Sequence, residues 1–352
     1  MVVFLLVLLI CCLFGIKFAS GNGFSDYMSP QKSGAIKGIF TVIVLFSHVR
    51  KFIDLDKTPL NLPYGKFLSF LGQLMVVMFL FYSGYGIMLG LQKKDGYLKS
   101  LITKRTPKVI LHFDIAVLCY FISNTILGNR YPIKKLLLAF IGVSDVGNPA
   151  WFIFTTVVLY LITFISFVIA RKKPIAGTII TTLLTAAAYV ALFVWKGKSH
   201  WWYDTMLCFP LGMWYALAKP KIDKLLLEDF NKWFFAVSST GIAFFFLKYV
   251  MKNYGLNMYC FVPAALLFAL FITFLSMRIS VGNKILNWFG NHIFSMYILQ
   301  YIPMNIYKHF GLNNYPVLFT LCTFATVVLV ATVFEILMNK LDVALKLSNK
   351  KA

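Results

Sequence analysis

The sequence predicts an all-α integral membrane protein, and two observations carry that prediction. Hydrophobic residues make up 60% of the 352 residues, and the mean hydropathy is +0.78, both far above the range of soluble domains. Apolar windows of about 20 residues, a length that crosses a hydrocarbon core of roughly 30 Å, recur along the whole chain. The windows leave no stretch long enough for a soluble domain.

Eleven of these windows are candidate transmembrane helices. They lie at about 2–18, 36–49, 68–91, 109–127, 151–170, 175–195, 201–218, 233–250, 257–277, 286–307 and 315–338. The first is not preceded by a basic segment, and Phe18-Ala19-Ser20 is a poor cleavage site for a signal peptide. We therefore expect it to remain as a transmembrane helix.

The net charge of +22 is spread over short loops between the spans, where positive charge sets orientation. With the N-terminus outside, 22 of the 34 Lys and Arg residues fall in inner segments and 12 in outer ones. We expect an outer N-terminus, a cytoplasmic C-terminus and no nucleic-acid partner. The six cysteines form no C-x-x-C pair and mostly lie in apolar spans, which argues against a disulfide framework or a metal site.

The outer stretch 128–150 contains an apolar piece, IKKLLLAFIG, that is too short to span a bilayer. An interfacial or re-entrant segment is expected there. A glycolipid or small-anion transporter, or a flippase, would share the hydropathy of this chain. Such proteins often carry internal repeats, and the sequence has no convincing one, which disfavours transport.

The segment KGIFTVIVLFSH at 37–48 places an ionisable group at each end of an apolar run. On a helix, eleven steps separate Lys37 from His48 by about 16 Å and by about 20° of rotation. Both side chains would therefore line one face, with the lysine near the inner surface and the imidazole near the outer surface.

Five further segments join this one in a fixed order. They are FLFYSGYGI at 79–87, YLKSLITKRTPKVI at 97–110, AWFIFTTVVLYL at 150–161, GNHIFSMYILQYIPM at 290–304 and FEILMNK at 334–340. In this order they resemble the acyltransferase-3 membrane proteins, whose first core helix carries a basic residue, ten intervening residues and a histidine. The likeness covers roughly residues 33–340. Gln300 stands where many members carry a histidine, and Glu335 lacks their following proline.

The resemblance implies a core of about ten helices at 33–340. An extra N-terminal transmembrane helix with an inner linker would occupy 1–32, and a cytoplasmic basic tail 341–352. It implies an O-acyltransferase of the bacterial cell membrane that moves an acyl group, acetyl in the first instance, from cytoplasmic acyl-CoA to a hydroxyl of an extracytoplasmic carbohydrate or glycolipid. A lipid or protein acceptor stays open. No permanently bound cofactor is expected, and membrane lipid is the remaining partner.

His48 is the catalytic candidate. Its ordinary pKa near 6.5 suits it to take a proton from an acceptor hydroxyl, or it accepts the acyl group itself, and the sequence leaves both routes open. Acyl-CoA is polyanionic, so its site needs cations. Candidates for that role are Lys37, Lys104, Arg105 and Lys108, although positive-inside topology alone also produces basic loops.

Supporting roles are expected for five other residues. Ser83 is a candidate oxyanion donor or a helix-packing serine, and Glu335 either pairs with a basic residue or reaches water. Trp151 and Tyr297 come from the family segments. Asp114 is an ionisable group within a span, pairing with His112 or the basic loop. The remaining histidines, His200, His292 and His309, show no partner pattern and are expected in loops or at the interface.

Overall fold

The computed structural model of the chain describes residues 1–55, 61–196 and 199–347, and this part is almost entirely helical. Its helices are α1 (Val2–Leu13), α2 (Pro30–Val49), α3 (Leu62–Leu71), α4 (Val77–Lys93), α5 (Tyr97–Ser100), α6 (Thr106–Ile126), α7 (Ile133–Phe140), α8 (Trp151–Ile169), α9 (Pro174–Lys196), α10 (Cys208–Leu226), α11 (Phe230–Tyr254), α12 (Asn257–Ser276), α13 (Lys284–Asn291), α14 (Ile293–Leu299), α15 (Tyr301–His309) and α16 (Pro316–Ala344). The predicted basic tail lies partly outside the described residues.

Within the described residues, eight helical segments are long and apolar enough to cross a membrane. They are α2, the run from α3 to α4, the run from α5 to α6, α8, α9, α11, most of α12, and α16. The predicted all-α membrane fold is therefore confirmed. The predicted span 201–218 corresponds to α10, which begins only at Cys208 and continues to Leu226.

The first helix is shorter than its predicted span of 2–18. It ends at Leu13 and covers about 18 Å, less than a bilayer core of roughly 30 Å. Gly15 then turns the chain with a φ of +85°, and β1 (Lys17–Phe18) pairs antiparallel with β2 (Ile279–Ser280). The residues around this turn are still mostly apolar, so a hydropathy pattern could not indicate where the helix ends.

Helix α1 nevertheless runs alongside α2 in the opposite direction. The Met1 ammonium donates to Asn61 Oδ1 at 3.0 Å, just before α3. At the other end, Asn283 Nδ2 donates to the carbonyl oxygens of Cys11 and Phe14. Met1 therefore lies at the same end of the bundle as the C-terminus of α2.

Helix α2 is fixed by its cap and by close packing. Ser29 caps it by accepting a hydrogen bond from the Lys32 backbone, and Pro30 occupies the first turn. A Cβ on Gly38 would lie 1.9 Å from the carbonyl oxygen of Leu286 on α13. Small residues allow such close backbone approach in membrane bundles, so α2 and α13 form one tightly packed pair.

Two predicted spans, 68–91 and 286–307, are interrupted in the structure, and a turn precedes a third, 109–127. A 3₁₀ turn at Gly72–Val76 separates α3 from α4, and a π turn at Leu101–Arg105 precedes α6. The predicted span 286–307 is divided into α13, α14 and α15. Helix α7 covers eight residues, too short to span, as predicted for the stretch 128–150.

Candidate active site

Two cavities lie within the bundle along α2. The Lys37 cavity, of about 620 Å³, is lined by α2, α4, α6, α8, α16 and the junction of α13 with α14. The His48 cavity, of about 1510 Å³, is lined by the C-terminal end of α2, the loop before α8, residues 200–204, α11, α14 and α15. Val76 and Tyr297 line both cavities.

Helix α2 connects the two cavities through its charged ends. Lys37 lines the smaller one and His48 the larger one, and α2 is continuous between them. Lys37 and His48 thus lie on one helix, as predicted, and each lines a different cavity.

His48 is enclosed by aromatic rings. Its ring centroid lies 4.8 Å from that of Tyr301 and 6.1 Å from that of Tyr297. The Gln300 side chain is a hydrogen-bonding neighbour of the imidazole, and Gln300 Nε2 also donates to the Tyr297 carbonyl at 3.0 Å. His48 Nδ1 is buried and has no hydrogen-bond partner among the described residues.

Four aromatic side chains pack together where the linings of the two cavities adjoin. The Phe152 ring lies 5.4 Å from Tyr297 and 6.2 Å from Phe79. Trp151 packs edge-on against Phe152 at 5.6 Å and lines the His48 cavity. The predicted residues Trp151 and Tyr297 therefore lie at the boundary between the two spaces.

Arg105 is held at the wall of the Lys37 cavity by two tyrosines. Its Nε donates to Tyr160 Oη at 3.1 Å and its Nη1 to Tyr97 Oη at 3.0 Å. Tyr160 Oη lies 3.4 Å from Ser83 Oγ. Ser83 thus belongs to the Lys37 cavity. Lys104, the neighbour of Arg105, is exposed and lines neither cavity.

Lys108 and His112 share one carboxylate that the sequence analysis does not identify. Lys108 Nζ lies 2.6 Å from Asp342 Oδ2 and His112 Nε2 lies 2.9 Å from Asp342 Oδ1, with Asp342 fully buried. Of the predicted pairings, His112 therefore pairs with neither Asp114 nor the basic loop. Asp114 lines neither cavity, and its Oδ1 has no hydrogen-bond partner among the described residues.

Glu335 is paired on the wall of the Lys37 cavity. It accepts a hydrogen bond from Ser295 Oγ, and its Oε2 lies 3.2 Å from His292 Nε2. The His292 ring stacks on Trp288 at 3.9 Å. His292 therefore has a carboxylate partner at the junction of α13 and α14, contrary to its expected role as an unpartnered interface residue.

His200 also has a carboxylate partner. Its Nδ1 lies 2.6 Å from Asp204 Oδ2, and both residues line the His48 cavity. The hydrogen bond with Asp204 raises the pKa of His200 above its ordinary value. The aromatic segment 201–203 lines the same cavity. No group of three His, Cys, Asp or Glu residues that could hold a metal occurs in the part of the chain that the structure describes.

Comparison with known proteins gives one match. The acyltransferase-3 family model, described as an acyltransferase domain, matches residues 34–335. This range includes the residues that line both cavities, except Met338 and Asn339 on α16. Searches of the curated proteins and of the solved structures give no significant match.

Proposed function

The chain belongs to the acyltransferase-3 family and is a membrane acyltransferase; from this premise we propose that it transfers an acyl group, acetyl in the first instance, from cytoplasmic acyl-CoA to a hydroxyl of an extracytoplasmic carbohydrate or glycolipid. One observation carries the proposal. The two cavities lie at opposite ends of α2 and share Val76 and Tyr297 in their linings, which supports a donor and an acceptor that approach this shared wall from opposite sides. The Lys37 end then faces the cytoplasm, with the N-terminus outside and the C-terminus cytoplasmic.

The Lys37 cavity suits the donor because its cations match a polyanionic nucleotide. Lys37 has no acidic partner within ion-pair distance among the described residues, and Arg105 is fixed by tyrosine hydroxyls. A guanidinium held in this way can bind phosphate in a defined geometry. Lys108 forms an ion pair with Asp342, while the exposed Lys104 would bind the phosphates outside the cavity. The pantetheine arm would extend along α2 toward His48.

The His48 cavity suits the acceptor, and its imidazole suits the transfer. In a direct route, the acceptor hydroxyl gives its proton to His48 while its oxygen attacks the thioester carbonyl carbon. The carbon–sulfur bond breaks, and the CoA thiolate leaves and takes up that proton. In a two-step route, the imidazole nitrogen first attacks the thioester carbonyl carbon, and the carbon–sulfur bond breaks as the CoA thiolate leaves. The acceptor oxygen then attacks the acyl carbon, the carbon–nitrogen bond breaks, and the released imidazole takes up the hydroxyl proton.

Radiolabelled acetyl-CoA and a glycan panel test the proposal with the purified protein in lipid nanodiscs. We expect label to move to glycan with release of one CoA per acyl group. Wild-type glycan acylation by His48→Ala would overturn the assignment of His48, whereas the matched control His309→Ala, at an exposed histidine that lines neither cavity, should retain activity. Glycan or anion flux across proteoliposomes without CoA release would instead indicate transport.

Mass spectrometry separates the two chemical routes. Rapidly quenched wild-type protein incubated with acetyl-CoA alone should carry an acetyl adduct on the peptide containing His48 only if the two-step route operates. The His48→Ala protein supplies the control for nonspecific acetylation of neighbouring lysines.

A further inference from the structure

We propose that the acceptor in the His48 cavity is an anionic glycan, and that Lys51, Lys248 and Lys308 bind its carboxylate or phosphate groups. This inference rests on the function proposed above and names the class of its acceptor. It is based on these three lysines of the cavity wall, which take no part in the proposed transfer chemistry.

The three lysines reach one cavity from three parts of the chain. Lys51 follows α2, Lys248 lies on α11 and Lys308 on α15, and all three line the His48 cavity. No described carboxylate lies within ion-pair distance of any of the three ammonium groups. A ligand that enters the cavity therefore meets three cations with which no described carboxylate forms an ion pair.

The carboxylates of the same cavity do not neutralise these cations. Asp204 is bound to His200, and Asp145 Oδ1 accepts a hydrogen bond from the Gly147 backbone at 3.2 Å. Asp145 is thus the one described carboxylate of the lining that has no cationic partner within ion-pair distance, against three lysines. The balance favours an anionic ligand.

Aromatic groups hold the lysines in place but do not cancel their charge. Lys51 Nζ lies 3.4 Å from Tyr301 Oη, on the tyrosine that contacts His48. Lys248 Nζ lies 4.9 Å from the centre of the Phe70 ring, and Lys308 Nζ lies 5.8 Å from that of Phe52. Desolvation lowers the pKa of Lys51, and a bound anion would compensate for this loss of hydration.

The positive-inside rule does not account for these lysines. In the proposed orientation they lie at the outer end of the bundle, and the positive-inside rule enriches basic residues at the inner end. The same cavity also presents the rings of Trp151, Trp201 and Tyr189, whose apolar faces can cover sugar rings. Its volume of about 1510 Å³ exceeds the roughly 300–1,000 Å³ of ordinary small-molecule sites, which suits several sugar units.

Binding in the absence of acyl-CoA provides the first test. Protein in nanodiscs of zwitterionic lipid would be titrated with a galacturonic acid tetrasaccharide, with its carboxyl-reduced neutral counterpart, and with a galactose tetrasaccharide carrying one 6-phosphate. We expect the charged glycans to bind at least tenfold more tightly than the neutral one, with the preference falling as salt is raised. The two charged probes distinguish a carboxylate from a phosphate as the favoured group.

A double variant and a matched control assign the preference to the cavity. Lys248→Gln with Lys308→Gln should remove at least tenfold of the charged-glycan affinity and leave the affinity for the neutral glycan unchanged. Lys252→Gln should change neither, because Lys252 lies one turn further along α11, is exposed and lines neither cavity. Thermal unfolding of each variant checks its folding, and the salt dependence of the wild type needs no variant.

Equal binding of charged and neutral glycans by the wild type would overturn the inference, as would an equal loss in the Lys252→Gln control. Steady-state transfer then separates this inference from the proposed function. Transfer to the neutral glycan with the same kcat/KM as to the charged ones would overturn the anionic acceptor and keep the enzyme. Tight, charge-selective binding without acyl transfer to any glycan would keep the anionic site and overturn the transferase.

Discussion

The two cavities differ in how their charged groups are satisfied. In the Lys37 cavity, Arg105 is bound by tyrosine hydroxyls, Lys108 and His112 share Asp342, and Glu335 is bound by Ser295 and His292. In the His48 cavity, His200 is paired with Asp204 and Lys51 contacts Tyr301 Oη, but Lys248, Lys308 and Nδ1 of His48 have no hydrogen-bond or ion-pair partner among the described residues. The protein itself pairs most charged groups of the first cavity, with Lys37 as the exception, whereas the second cavity leaves more of its charged and polar groups to a ligand.

Their walls differ as well. The Lys37 cavity is built on helices, including α2 where it packs against α13, while the His48 cavity takes much of its wall from the loops at 144–150 and 199–207. Loops held on a rigid scaffold commonly determine what a site binds. The division fits a donor that is the same in every turnover and an acceptor that differs between proteins of one fold.

The largest expected effect separates chemistry from donor binding. Replacing His48 with alanine removes the proposed base or acyl carrier, so transfer should fall by about 10²–10⁴-fold. Acyl-CoA affinity should change little, because the cations of the donor site lie at the other end of α2. Isothermal titration with acetyl-CoA and a transfer assay measure the two effects. A parallel loss of affinity and turnover would show that the two cavities are not separate sites.

The next effect tests the preorganised cation of the donor site. Arg105→Met removes charge-assisted hydrogen bonds worth about 1.5–3 kcal/mol, so acyl-CoA should bind roughly 10–150-fold more weakly. Arg105→Lys keeps the charge but loses the planar guanidinium, so its acyl-CoA affinity should lie between those of the wild type and Arg105→Met. Affinity for the acceptor glycan should stay at the wild-type value in both variants.

Lys104→Met supplies the matched comparison on the neighbouring residue. Because Lys104 is exposed and lines neither cavity, its contribution should stay within the ~0.2–1 kcal/mol of an exposed ion pair, at most about fivefold in affinity. An effect as large as that of Arg105→Met would place the nucleotide outside the Lys37 cavity.

The sequence predicts those parts of the protein that depend on local pattern. Hydropathy locates most of the membrane spans, and the spacing of Lys37 and His48 correctly places both on one helix, whereas the structure divides them between two cavities. The end of α1 is missed because Gly15 turns the chain without any loss of hydropathy. The interruption at Gln300 is missed for the same reason, since the residues on both sides remain apolar.

The partners of the charged residues are not predictable from one sequence. His112 pairs with Asp342, 230 residues further along the chain, and His292 pairs with Glu335, beyond α14 and α15. Patterns of sequence spacing cannot predict pairs this far apart. One signal does exist for Asp342. It lies two turns after Glu335 on α16, on the same side of the helix, and an ionisable residue at the end of a membrane helix is expected to have a partner.

A smaller effect concerns the packing that fixes the Lys37 cavity. Alanine at Gly38 would bring its Cβ to 1.9 Å from the Leu286 carbonyl oxygen, so α2 and α13 must move apart. Overpacking of this kind costs about 1–3 kcal/mol, and thermal unfolding in detergent should show a lower midpoint. Gly86→Ala on α4, where the new Cβ meets no atom within 4 Å, should not. Equal midpoints for the two variants would show that this contact does not fix the cavity.

The smallest effect should appear on the loop wall of the His48 cavity and depend on pH. Asp204 raises the pKa of His200, so the imidazolium–carboxylate pair stabilises the folded protein fully below the unfolded pKa near 6.5 and is lost as pH rises through the folded value. His200 is 55% exposed, which limits the contribution to about 0.2–1 kcal/mol. Wild-type protein should therefore lose slightly more thermal stability than His200→Gln between about pH 5.5 and 8. Identical pH dependence in both proteins would show that the His200–Asp204 pair does not stabilise this loop. The Lys37 cavity, whose charged groups are paired, would then differ even more from the His48 cavity.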